Sequence, residues 1–209
     1  MSTSKLTSKL LPAAALALLL TACSTQPETA EKKQPPKPPE PTTGLTAVFH
    51  MYQVARTWSP DAQVLKMTSA HLSDIPEVPG KAPAWEATFT SANLGKSRTY
   101  TDSIIEDLPS LHKGVFAGLE EAFSGARGEN KPFLIIAAKI DTDAAYKTAL
   151  TKAAAYEKAN PGKPITFLLE KITRFPDPTW RVIWGESVGT SNFSIFIDAS
   201  TGEYLETMH

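Results

Sequence analysis

An α+β fold of two similar halves, each a helix packed on an antiparallel sheet, is what the sequence predicts, preceded by a signal peptide and a disordered proline-rich linker. Three observations lead there. Two stretches with helical spacing of apolar residues each stop at a proline, Pro60 and Pro161, and each is followed by a strand-like run. Two later strands match as Trp85-Glu-Ala-Thr-Phe89 and Trp180-Arg-Val-Ile-Trp184, each with a proline two residues before its first tryptophan. The third is a break in composition near residue 44, before which proline, lysine and glutamate replace any apolar periodicity. The divisions that follow are 1–22, 23–43, 44–131 and 132–209.

The first division reads as an export signal. Lys5 and Lys9 precede the apolar run Leu10 to Leu20, and no acidic residue occurs before Glu28. Eleven residues of helix rise about 16 Å, roughly half the hydrocarbon core of a bilayer, which is short for a permanent span. A positive start, a short apolar centre and small residues at its end describe a signal peptide, with a short signal anchor as the alternative.

The run closes on Leu20-Thr21-Ala22-Cys23, which resembles the bacterial lipobox. The resemblance implies that the Cys23 thiol takes a diacylglyceryl group and the signal is cut before it. The new amine is then acylated. Cys23 is the single cysteine of the chain, so it has no internal disulfide partner. Two or more acyl chains anchor stably where one would be reversible. Ser24 stands where the inner-membrane retention signal of Gram-negative lipoproteins would place Asp, so in a Gram-negative source the resemblance implies the outer membrane, facing the periplasm.

Residues 24–43 hold six prolines, three lysines and three glutamates with nothing to bury. Such a segment stays disordered and partly polyproline II, reaching about 60 Å when extended. A spacer is the reading adopted; a proline-rich ligand for a partner groove is the alternative.

In the folded part, Thr43 caps a helix with Leu45, Val48, Phe49, Tyr52 and Ala55 on one face, ending at Ser59-Pro60. Residues 63–70 read as a strand. A turn rich in proline (Pro76, Pro79, Pro83) leads to the alternating strand 84–91, and Gly95 breaks the chain before a strand at 97–105. Residues 111–123 place Phe116, Leu119 and Phe123 at helical spacing beside Gly114 and Gly118, and read as irregular or weakly helical. Residues 132–140, with Phe133-Leu-Ile-Ile-Ala-Ala, read as a buried strand.

Asp141-Thr142-Asp143 supplies acidic caps for a second helix over 144–159, with Ala145, Ala149, Ala153 and Tyr156 along one side. Asn160-Pro161-Gly162 stops it. Strands follow at 165–172, 180–184 and 193–197. A turn over 198–202 then leads to a last strand at 203–205.

The order of helix, W-x-V-like strand and closing Phe196-Ile-Asp-Ala-Ser-Thr-Gly-Glu203 resembles the PepSY module of bacterial envelope and secreted proteins. The likeness spans residues 141–206 and reaches 44–105 through the internal repeat, where Thr101-Asp102-Ser103-Ile104 lacks the following Thr-Gly. It implies no catalytic residues, and a role in modulating peptidases or binding envelope components. Asp198, Thr201 and Gly202 also satisfy plain turn chemistry.

Composition narrows the function further. Removing residues 1–22 takes two lysines with it and leaves 19 basic against 22 acidic residues, a net of −3, with no basic run. Nucleic acid is not an expected partner. The histidines (50, 71, 112 and 209) form no metal-ligand pattern, and neither a phosphate loop nor a Gly-x-Ser-x-Gly elbow occurs. Glu120-Glu121 reads as a solvated face. No catalytic residue, metal or cofactor is assigned. Trp85, Trp180 and Trp184 are core residues by their strand positions, or a ligand-binding platform if one sheet face is open.

The expectation is therefore a membrane-anchored, non-enzymatic envelope lipoprotein that binds or regulates a protein or peptide partner. The alternatives are an envelope assembly or scaffold lipoprotein, and an enzyme with a site built between the two halves.

Overall fold

Helix α1 (Gly44–Trp58) forms because residues 47, 48, 51 and 55 return to one side every three to four positions, and all four are fully buried. The computed structural model that shows this describes residues 40–209 apart from 108, 110, 126, 127 and 129. Residues 1–39, on which the expected signal peptide, Cys23 and most of the expected linker fall, lie outside the described residues. Helix α2 (Thr142–Ala159) turns Ala145, Ala149 and Ala153 inward, and these small side chains let its axis lie close to the strands.

Eight strands make one antiparallel sheet: β1 (Gln63–Ala70), β2 (Ala84–Ser91), β3 (Lys96–Ser103), β4 (Gly114–Ala122), β5 (Ile165–Glu170), β6 (Thr179–Trp184), β7 (Ser194–Asp198) and β8 (Tyr204–Met208). Their order is β4-β3-β2-β1-β5-β6-β7-β8. Strand β1 is the seam. It pairs with β2 on one side and with β5 on the other, where Met67 faces Leu169.

This corrects the expected fold class. The two halves do not each close a helix on a sheet of their own; both feed one continuous sheet, with α1 over β2–β4 and α2 over β6–β8. The physical reason is that an antiparallel sheet continues wherever an unpaired edge meets another, and β1 and β5 each carry alternating apolar residues that fit one shared layer.

Three local expectations are corrected as well. Residues 114–122 form the edge strand β4, leaving Phe116 half exposed and Leu119 exposed, because pairing with β3 outweighs their helical spacing. The run at 132–140 is not a strand. Phe133 makes a single bridge to Val64 of β1, and Ile135–Ala137 is a 3₁₀ turn lying against α1. Phe133, Ile135 and Ala138 join the core, while Leu134 and Ile136 face outward. Phe49, expected on the buried face of α1, is exposed because the helix turns it away from the sheet.

The capping of α1 also differs from expectation. The Thr43 hydroxyl bonds Thr46 Oγ1 rather than the helix amides. The amides are capped from a distance: Gly44 N donates to Thr142 Oγ1 at 2.9 Å, and Leu45 N donates to Asp141 Oδ1 at 2.9 Å. Asp141 simultaneously accepts from Thr142 N at 2.7 Å, so one carboxylate serves the N-termini of both helices. Among the described residues no helix is long and apolar enough to cross a membrane.

Candidate functional site

The chain leaves β1 at Ala70 and returns at Ala84, and a long proline-rich loop connects them in place of a single tight reversal. Pro76, Pro79 and Pro83 fix φ and remove amide donors, and the loop closes two local turns of its own, with Ile75 N donating to Leu72 O at 3.0 Å and Lys81 N to Val78 O at 2.9 Å. It is pinned at its far end. Thr142 Oγ1 donates to Gly80 O at 2.6 Å, and Ala82 and Thr42 exchange both backbone hydrogen bonds, at 2.9 and 3.0 Å. Gly80 has φ +73°, and a Cβ there would come within 2.4 Å of Asp143 Cα. No larger residue fits that approach.

Between this loop, α2 and β5 lies a cavity of about 550 Å³, within the usual range of small-ligand sites. Its apolar side is formed by Tyr146, Ile165 and Phe167, with the prolines facing them. Its polar side holds His71, Glu77 and Lys81. The Thr166 hydroxyl gives its proton to Gly185 O at 2.7 Å and therefore accepts from His71 Nε2 at 2.9 Å. The other ring nitrogen, Nδ1, faces Glu77 Oε1 at 3.2 Å. The imidazole thus bridges β5 to the loop.

Tyr146 closes the other end and donates to Glu157 Oε1 at 3.3 Å. Burial, reinforced by the charges of Glu157 and Glu77, pushes its phenol up to about 12, so the group is a neutral donor across the physiological range. The arrangement offers an apolar wall of Tyr146, Ile165 and Phe167 with His71, Glu77 and Lys81 on the polar side.

The three tryptophans singled out from the sequence lie on the helix side of the sheet, each at most 1% exposed. Trp85 and Trp180 meet edge to face at 6.4 Å, and Trp184 packs on Tyr146 and Phe193. Trp85 Nε1 donates to Thr42 O at 3.1 Å and Trp180 Nε1 to Ile140 O at 2.7 Å. Each thereby ties a strand to the residue just before a helix cap. Trp184 Nε1 has no hydrogen-bond partner among the described residues. Cys23 lies outside the described residues.

His50 bonds Asp102 at 2.9 Å, joining α1 to β3. Asp198 accepts from the amides of Ser200 and Thr201 at 2.7 and 3.0 Å. Burial works to raise the Asp198 carboxyl, but the hydrogen bonds from Ser200 and Thr201 outweigh it and hold the group below its usual range. Glu120 is not merely a solvated charge: it accepts from Trp58 Nε1 at 2.9 Å and pairs with Lys96. No group of three or more metal-ligating side chains occurs among the described residues.

Sequence reasoning did not find the cavity. His71 and Thr166 are 95 positions apart, and nothing local links them. The available signal was the density of proline between two strands, which is excessive for a simple reversal.

No protein-family model matches the chain, so none supports the PepSY resemblance, and no curated protein matches it. Among solved structures, the chain is similar to a "putative lipoprotein" from Clostridium difficile 630, at 8% identity over 77% of this chain and 91% of that one, with a TM-score of 0.46.

Proposed function

We propose that this chain is a lipid-anchored, non-enzymatic binding module of the bacterial cell envelope, which captures an extended segment of a protein or peptide partner in the cavity beneath the loop 71–83. The anchor rests on the lipobox-like Leu20-Thr21-Ala22-Cys23 behind a short apolar run. In a Gram-negative source, Ser24 after the cysteine directs it to the outer membrane. The observation that carries the binding reading is the cavity itself: an apolar wall of Tyr146, Ile165 and Phe167 opposite the His71–Glu77 pair, under a loop pinned at Gly80.

Binding energy would come from burying apolar surface against the aromatic wall, with specificity from the polar side. The test is site-specific photocrosslinking in intact cells. A crosslinker replacing Val78, on the cavity rim, should trap a discrete envelope protein or peptide. One replacing Leu94, in the β2–β3 hairpin, should not. The same product pattern from both positions would refute the cavity as the binding site. Cys23→Ser should release the chain from the membrane fraction, and unchanged processing and attachment would refute the anchor.

A further inference from the structure

The outer surface of the helix layer has a composition unlike the rest of the molecule. Helix α1 contains no acidic residue and exposes Phe49 and Arg56 two turns apart. Beside it, the 3₁₀ turn presents Leu134 and Ile136 to solvent, 53% and 70% exposed, while Ile135 between them is buried. Lys131 and Lys139, both exposed, flank that turn. On α2, Lys147 and Lys158 fall on the side away from the buried Ala149, along one stripe at helical spacing.

The acids of this layer, Asp141, Asp143 and Glu157, keep their charges but are outnumbered by Arg56, Lys131, Lys139, Lys147, Lys152 and Lys158. Asp141 caps two helices, Asp143 Oδ1 accepts from Ala144 N at 2.8 Å, and Glu157 accepts from Tyr146. A processed chain with a net charge of −3 therefore carries a locally cationic face with two aliphatic side chains standing proud of it. A water-exposed Ile beside lysines has no role in packing this domain. Aliphatic tips flanked by lysines, beside a helix that carries a lysine stripe, suit the interfacial region of a bilayer, where the tips enter the acyl boundary and the ammonium groups stay at the headgroups.

We infer that this helix-layer face docks on an anionic lipid bilayer, with Leu134 and Ile136 entering the interface and Lys131, Lys139, Lys147 and Lys158 meeting the headgroups. The inference rests on the lipid-anchor reading, because the anchor confines the domain within reach of the bilayer and makes a weak surface contact effective. Docked this way, the domain turns the opposite face of its sheet away from the membrane.

The test uses the full lipidated chain. With Cys23 consumed by acylation, Ile136→Cys supplies a unique thiol for a polarity-sensitive dye, and Leu119→Cys on β4 supplies a control far along the sheet edge. On phosphatidylglycerol–phosphatidylcholine vesicles the dye at 136 should shift to the blue and become several-fold less accessible to an aqueous quencher, while the dye at 119 should not. High salt, or Lys139→Glu with Lys147→Glu, should reverse the change. Vesicle flotation with the dye at 136 still fully quenched would overturn the docking and leave the anchor standing. An equal shift on pure phosphatidylcholine would overturn the assignment to an anionic surface. A chain that does not float at all would overturn both the anchor and the docking that depends on it.

Discussion

The carboxylate of Asp141 accepts the backbone N–H of Leu45 at 2.9 Å, although the two residues are 96 positions apart in the chain. With Thr142, it caps α1 from the start of α2, and Thr142 passes the connection on to Gly80 of the cavity loop. Both helices, the loop and the tryptophan-bearing strands are held at this one end of the sheet.

Asp141→Ala should therefore cost more than an ordinary capping change, because it strips amides of two helices at once. The loss expected is about 2–3 kcal/mol, against about 1 kcal/mol for a single cap. Asp141→Asn keeps an acceptor and should recover most of it. Urea denaturation of the three proteins checks this, and a loss below about 1 kcal/mol for the alanine variant would show that the two caps are not shared.

Gly80 and Gly162 provide a matched pair. Both have positive φ, +73° and +76°, but only Gly80 has backbone atoms where a Cβ would go. Gly162→Ala should cost about 1–2 kcal/mol from the left-handed conformation alone. Gly80→Ala adds overpacking against Asp143 and should cost about 3 kcal/mol or more, with loosening of the loop. Thermal unfolding should rank them in that order, and equal losses would count against the close approach.

The stability contributed by Asp61 should depend on pH. Hydrogen bonds from Ser59, then Ser91 and the Asn93 amide, lower its carboxyl from 3.8 to about 2. Because the folded-state value is depressed, the contribution is complete above the unfolded value near 3.8 and is lost as pH falls through about 2. The difference in Tm between the parent and Asp61→Asn should hold constant from neutral pH to about 4 and narrow towards 2. A difference independent of pH over that range would refute the linkage.

Tyr146 should behave in the opposite sense. Its raised value means that the neutral phenol stabilises the fold fully below the ordinary tyrosine value of 10, and that this is lost as pH rises through about 12. In an ultraviolet titration, Tyr146→Phe should remove a late-ionising phenol and leave the earlier titration unchanged. Loss of amplitude near pH 10 instead would show that Tyr146 is open to solvent.

Most single elements were legible in the chain itself. The α1 and α2 periodicities, the 63–70, 84–91 and 180–184 strands and the 198–202 turn are all local patterns of side-chain spacing and backbone restriction. Sequence alone also supplied the charge balance and the lone cysteine, from which the anchor is inferred. What it misjudged was long-range. Residues 111–123 read as irregular or weakly helical because Phe116, Leu119 and Phe123 share helical spacing beside two glycines, yet the free edge of β3 drew 114–122 into a strand. The β1–β5 pairing that merges everything into one sheet is made by backbone groups, which every residue carries, so no side-chain pattern announces it. The cap shared by Asp141 and the cavity around His71 and Thr166 likewise exist only once distant segments have been packed together, where the geometry of the sheet, and not neighbouring residues, decides which polar groups meet.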